Sequence, residues 1–142
     1  MKMELCKEVM QVKIAQSICK SLGLEFPLSD NIVVAEVVAG EENTSANRQA
    51  LLSIIFNYLS GQRSVRENSA KAFRTILNTS HFAKNYTFKG TFSKKSFSDE
   101  FPNIIEIFHE ALFLKHKELS LEETKEEFKY HFKYIGQYSK KG

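Results

Sequence analysis

Cations are the residues here whose types and spacing most clearly suggest chemistry. Between positions 61 and 97 lie Arg63, Arg66, Lys71, Arg74, Lys84, Lys89, Lys94 and Lys95 against one acid, Glu67. That is a local balance of +7 in a chain whose net charge is +3. Cations gathered on one face neutralise phosphates without reading bases, so the pattern points to a nucleic-acid backbone. Through 79–97 the lysines interleave with Phe82, Tyr86, Phe88, Phe92 and Phe97. This mixture suits single-stranded nucleic acid, where rings stack on bases. The plainer reading is a long connection pinned to a core by its aromatics, with the lysines in water. Residues 98–127 reverse the sign, with nine acids against three lysines, and the last fifteen residues return to +4. An acidic 98–127 segment meeting a neighbouring copy's basic face would give a heterologous contact that can build filaments.

A second group is Tyr130, Tyr134 and Tyr138, repeating every four residues with Lys129, Lys133, Lys140 and Lys141 nearby. Such a stripe can anchor a partner protein or nucleic acid. Tyrosines that flank a core with their hydroxyls in water give the same pattern.

Catalytic and metal chemistry find less support. Glu106-Ile107-Phe108-His109 has the Glu-x-x-His spacing of carboxylate-bridged di-iron bundles, which need two such motifs and two further glutamates. One copy is present, and Glu106 falls on the outward line of its helix. The four histidines and two cysteines lack zinc-site spacing. His109 and His116 fit boundary histidines satisfied by local hydrogen bonds. Cys6 and Cys19, thirteen apart in one predicted helix, would stand about 20 Å apart, beyond disulfide reach. They read as small buried hydrophobes. With no nucleophile elbow, phosphate-cradling glycine loop or dinucleotide fingerprint, the sequence predicts a non-enzymatic protein with no catalytic residue, cofactor or metal. Arg74 and His81, with six residues between them and Thr75 after the arginine, nevertheless resemble the Arg-x4–6-His pair of HEPN-type helical ribonucleases. That resemblance, carried by these two residues, implies a dimer cleft acting on an RNA phosphate.

These groups need a frame. A length of 142 residues and 42% apolar content suit one domain, 1–142, with one core. Two prolines and six glycines fit long helices with short connections, and twelve phenylalanines favour a filled core. Thr44–Asn78 is the organising stretch. Its first half carries Ala46, Ala50, Leu51, Leu52, Ile54, Ile55, Phe56, Tyr58 and Leu59, and leaves a narrow polar line of Gln49, Ser53, Asn57 and Ser60. Exposing one side would forfeit roughly 1.5–3 kcal/mol per large side chain, so 45–60 is predicted as a central buried helix ending at Gly61.

Before it, 2–22 reads as one helix stopped by Gly23. Residues 30–39 read as a short helix capped by Ser29 or Asp30, preferred over a strand despite the β-branched run. Thr44 or Ser45 caps the central helix. Ser64-Val65-Arg66-Glu67 fits a capping box opening a helix at 65–78, in which Glu67 and Lys71 are spaced for an i,i+4 ion pair. A DNA-reading helix-turn-helix is disfavoured, because the cations scatter along this helix instead of gathering at its start. Lys89-Gly90 can close a small β-hairpin near 85–93. Ser98-Asp99-Glu100 and Pro102 open a helix at 101–117, and Ser120-Leu121-Glu122-Glu123 opens the last, 121–138, where helix is preferred over strand. The expected fold class is all-α, a single-domain helical bundle of five or six helices with the hairpin as an addition.

Glu4, Lys7, Glu8 and Lys13 interrupt any apolar leader, and no window approaches the roughly eighteen apolar residues of a membrane span. A cytoplasmic protein with no membrane partner is expected. In size, helicity and basic middle third the chain is similar to the small helical subunits of ribonucleoprotein effector complexes, such as those of CRISPR systems. That likeness implies an RNA-binding or nucleic-acid-binding small subunit of a larger protein complex. The rival expectation is a protein-interaction module (inhibitor, immunity protein or adaptor) using the acidic and tyrosine-bearing surface.

Overall fold

The helix signals are realised in shorter pieces than their periodicity predicts. The computed structural model describes residues 9–141. Its elements are α1 (Val12–Ser21), α2 (Ile32–Ala39), α3 (Ala46–Phe56), α4 (Val65–Ile76), α5 (Thr79–Asn85), β1 (Tyr86–Thr87), β2 (Lys95–Ser96), α6 (Phe97–Glu100), α7 (Pro102–Lys115), α8 (Leu121–Lys133) and α9 (Ile135–Lys141). The fold is all-α as expected, with nine helices among the described residues in place of five or six.

Local signals set several helix ends. Gly23 adopts φ +80°, and the N–H groups of Gly23 and Leu24 donate to the carbonyls of Lys20 and Cys19, closing α1 by a Schellman motif. The predicted helix over 2–22 is shorter, since Val9 to Gln11 are not helical. Its first turns, including Cys6, lie outside the described residues. Both predicted capping boxes form. The Ser64 and Ser120 hydroxyls each accept from the N–H three residues on at 3.1 Å, and Glu67 and Glu123 each accept the serine N–H at 2.9 Å. Residues 32–39 are helical, with Ile32, Ala35, Val38 and Ala39 inside and Val33, Val34 and Val37 exposed.

Other ends are set from a distance. The predicted helix 45–60 stops at Phe56, well short of Gly61. Fully buried Asn68 of α4 explains this: its Oδ1 accepts the Ser60 N–H and its Nδ2 donates to the Ser60 carbonyl, both at 2.9 Å. Ser60 is thus satisfied outside a helix, while the N–H groups of Asn57, Tyr58 and Leu59 donate to the Ser53, Ile55 and Phe56 carbonyls. The central position is shared. α3 packs against α1, α2 and α7, while α7 touches α2, α3, α4, α6 and α8 and buries Ile104, Ile105, Ile107, Phe108, Ala111 and Leu112. Glu36 of α2 caps α7, its carboxylate accepting the N–H groups of Asn103 at 3.0 Å and Ile104 at 2.9 Å. A carboxylate there satisfies two free donors at the positive end of the helix dipole.

Segment 79–97 is not a hairpin. After α5, Tyr86 and Thr87 pair in parallel with Lys95 and Ser96. Tyr86 and Phe88 both bury their rings, so the chain wraps around instead of folding straight back, turning at Gly90 with φ +89°. Phe82, Phe97, Phe101, Phe108, Phe128 and Phe132 join Phe73 in a contiguous aromatic cluster. Within it Phe97 stacks on Phe128 at 5.7 Å and meets Phe82 edge-on at 5.8 Å.

The predicted final helix 121–138 is two helices. Tyr134, at φ −109° and ψ 12°, separates α8 from α9. Gly136, a poor helix former, lowers the cost of the break, and the new direction buries Ile135 and lays α9 on α5.

Candidate nucleic-acid interface

α4 places cations on its outer side because its other side is spent on the core. Asn68, Ser69, Ala72, Phe73 and Ile76 are buried, leaving Arg66, Lys71 and Arg74 exposed. The break at Tyr134 brings α8 and α9 alongside. Between them lies a groove of about 530 Å³ lined by Arg63, Arg66, Glu67, Ala70, Lys71, Arg74, Tyr130, His131 and Tyr138. Two sets that the sequence keeps apart, four of the eight predicted cations and two of the three tyrosines, therefore meet in one place.

One wall is rigid. The Arg66 guanidinium lies over the Tyr130 ring, with Cζ 3.5 Å from the centroid. Its Nε donates to Glu127 Oε1 at 2.6 Å and its Nη2 to Oε2 at 3.3 Å. Glu127 raises the pKa of Arg66 further and neutralises much of its charge. Stacking and the forked pairing together fix its plane. Arg74 reaches over the Tyr138 ring at 5.5 Å, and the Arg63 Nη1 donates to the Tyr58 carbonyl at 3.1 Å. Lys71 is exposed and, among the described residues, forms no ion pair. The predicted Glu67–Lys71 pair is absent because the Glu67 carboxylate caps α4 instead.

The floor is a buried polar network that sequence reasoning missed. His131, 1% exposed, has Nε2 2.7 Å from Ser69 Oγ and Nδ1 2.9 Å from Tyr138 Oη. Glu127 Oε1 accepts from Ser69 Oγ at 3.2 Å. Every group is satisfied when Nε2 carries the imidazole proton and donates to Ser69, Ser69 donates to Glu127, and the Tyr138 hydroxyl donates to Nδ1. Burial lowers the His131 pKa to about 4 and raises that of Tyr138, so both are neutral near pH 7. With its hydroxyl engaged and its ring edge-on to Phe73 at 6.2 Å, Tyr138 is half structural. Tyr134 sits against Tyr130 at 4.9 Å, outside the groove. The signal for this floor was present in sequence: Ser69 and His131 are polar residues on the buried faces of their helices, in phase with Phe73 and Phe128.

The remaining predicted cations lie elsewhere. Lys84 is exposed at the end of α5, Lys89 is exposed on the 88–94 loop, Lys95 is exposed at the start of β2, and the half-buried Lys94 donates to the Ala83 carbonyl at 2.8 Å. The side chains of Lys140 and Lys141 lie outside the described residues. Of the five aromatics interleaved with the lysines, Phe82, Tyr86, Phe88 and Phe97 are core residues and Phe92 alone is exposed. Arg74 and His81 have different surroundings: α4 ends at Ile76, and His81 faces Asp30 at 3.8 Å outside the groove. His109 and His116 are satisfied, but across helices, by Thr124 at 2.9 Å and Asn68 at 2.8 Å. Glu106 is exposed, and among the described residues no group of three or more His, Cys, Asp or Glu converges as a metal site. Cys19 is free and buried, its thiol pushed up to about 11 by burial, which makes it unreactive. No helix among the described residues is long and apolar enough to cross a membrane.

Comparison with family models, curated proteins and solved structures finds no match.

The arrangement therefore has to be judged by its chemistry. It offers a clasped guanidinium on an aromatic ring beside the exposed Lys71 ammonium and Arg74 guanidinium. Both acids at the groove are engaged within the chain, Glu67 as the cap of α4 and Glu127 on Arg66 and Ser69.

Proposed function

We propose that this chain is a non-enzymatic nucleic-acid-binding subunit that holds phosphate backbone in the α4/α8–α9 groove. The observation that carries the reading is the convergence of Arg63, Arg66, Lys71 and Arg74 with Tyr130 and Tyr138 around one concavity. Lys71 and Arg74 supply the free charge, Arg63 extends it at the mouth, and the Arg66–Tyr130 stack is the rigid wall. Recognition of this kind is independent of base sequence and falls steeply with salt.

Fluorescence anisotropy with a labelled mixed-sequence oligonucleotide tests it. Binding at low salt should weaken log-linearly as salt rises. Reversing Lys71 and Arg74 to glutamate should abolish most of it, whereas reversing Lys94 and Lys95 should weaken it less. Absence of binding to DNA and RNA at low salt overturns the reading.

One observation favours a second reading, a protein-interaction module. Val33, Val37 and Val34 of α2 are 61%, 66% and 40% exposed on one short helix. Neighbouring apolar side chains left in water are a common mark of a protein contact. A partner retained after nuclease treatment and lost on Val33→Asp/Val37→Asp substitution would support it.

A further inference from the structure

Phe92 is fully exposed, at 109% of its reference area, whereas Phe82, Tyr86, Phe88 and Phe97 of the same segment are buried. An exposed phenylalanine on a floppy loop would be unremarked, but this loop is pinned. Gly90 N donates to Thr87 Oγ1 at 2.8 Å, and Thr91 N donates to the Lys94 carbonyl at 2.8 Å. The Thr91 hydroxyl accepts from the Lys94 N–H at 3.0 Å. At the base, Ser98 N donates to the Phe88 carbonyl at 2.9 Å, and the Phe88 ring is buried against Phe128 and Phe132. Gly90 holds φ +89° at a point where a Cβ would come within 3.1 Å of Ser96. The loop backbone is therefore built to present its tip, and the ring at that tip stands in solvent.

The surroundings of the tip specify what covers it. Lys89 and Lys95 flank it, both exposed, and no acid occurs between Glu67 and Asp99. A flat apolar ring flanked in sequence by lysines, with the nearest acid seven residues on at Asp99, matches a stacked base bracketed by phosphates. Resting on the nucleic-acid reading above, we infer that Phe92 is a stacking platform for an unpaired base, with Lys89 and Lys95 on the adjoining phosphates. The ligand class is accordingly single-stranded nucleic acid, because a paired base has no free face to offer.

The chain contains no tryptophan, so Phe92→Trp places a lone indole reporter at the tip. A short single-stranded RNA should quench the emission of that indole on binding. A duplex of the same length should leave it unchanged, and so should a strand carrying abasic sites. Phe92→Ala in the otherwise native chain should weaken single-strand binding by about tenfold. If the RNA binds by anisotropy while the indole emission and the Phe92→Ala affinity stay unchanged, the stacking inference falls and the groove reading survives. If no oligonucleotide binds at low salt, both fall. A blue shift of the indole on anionic phosphatidylserine vesicles without any response to RNA overturns the inference in favour of a membrane surface.

Discussion

Arg48 and Arg66 are each clasped by a glutamate far along the chain, Glu110 at a separation of 62 residues and Glu127 at 61. In the first pair the arginine is sealed. Its side chain is 6% exposed, both terminal nitrogens bond Glu110 at 2.9 and 2.7 Å, and Nε donates to the Ala39 carbonyl at 2.8 Å. In the second pair the arginine side chain is 47% exposed and its glutamate only 14%. The same two residue types thus join α3 to α7 in one place and furnish a groove wall in the other. What separates structural from available charge is which partner is buried: a buried arginine has no face left for a ligand, whereas a buried glutamate holds its arginine at the surface.

Breaking the sealed pair should have the largest effect. Glu110→Ala leaves the buried Arg48 charge without its counter-ion and should cost about 3 kcal/mol. That is at the lower end for a broken buried pair, because Glu110 keeps 40% of its side-chain surface. Urea unfolding followed by circular dichroism measures it.

Acid should act next, beneath the open pair. His131 titrates near 4 in the folded protein against about 6.5 unfolded. The unfolded chain therefore binds the extra proton first. The stability owed to neutral His131 is complete above about pH 6.5 and is lost as pH falls toward 4, by up to about 3 kcal/mol. Glu127 lies nearby and favours the charged form, while Arg66 and Arg74 oppose it. His131→Gln should flatten the unfolding profile between pH 4 and 6.5.

Lys71→Glu/Arg74→Glu should lower oligonucleotide affinity about thirtyfold or more at low salt and leave the melting temperature nearly unchanged, since both residues are exposed. The smallest effect should come from Glu127→Gln. Arg66 is half exposed and the glutamine keeps an oxygen to accept from Ser69, so stability should fall by only about 1 kcal/mol, while release of the Arg66 charge should raise oligonucleotide affinity severalfold. An unchanged affinity would mean that the Arg66 wall does not touch the ligand.

The same contrast shows how much was legible in the sequence. The boxes at Ser64 and Ser120 and the stop at Gly23 depend on residues within one turn and form as expected; the helix expected over 30–39 also forms, but it begins at Ile32 behind Asn31 in place of the predicted Ser29 or Asp30 cap. The early end of α3 depends on Asn68, eight residues beyond the carbonyl it captures. The capping of α7 depends on Glu36, 67 residues from the N–H it accepts. No local pattern carries such information. For the candidate site, net charge along the chain singled out eight cations, of which four line the groove, but it gave no sign that Tyr130 and Tyr138 stand beside them. Alternation could not reveal that Phe82, Tyr86, Phe88 and Phe97 belong to the core, because a buried aromatic and a stacking aromatic have the same sequence signature. Several acids of 98–127 have duties within the chain: Glu110 and Glu127 bind arginines, Glu123 caps α8, and Glu122 and Glu126 lie near Lys125 and Lys129. Glu100 accepts from the Tyr86 hydroxyl at 3.2 Å, so contact between copies through that segment would have to rely mainly on Asp99, Glu106 and Glu118.

The interruption at Tyr134 decides more than where one helix stops. Had α8 run on straight, Tyr138 would stand about 6 Å further along the same axis, and the region beside α4 would be a flat shelf. Because the chain changes direction at a single residue, that shelf becomes a basin, and a substitution that straightened the path would remove the concavity while leaving every cation in place.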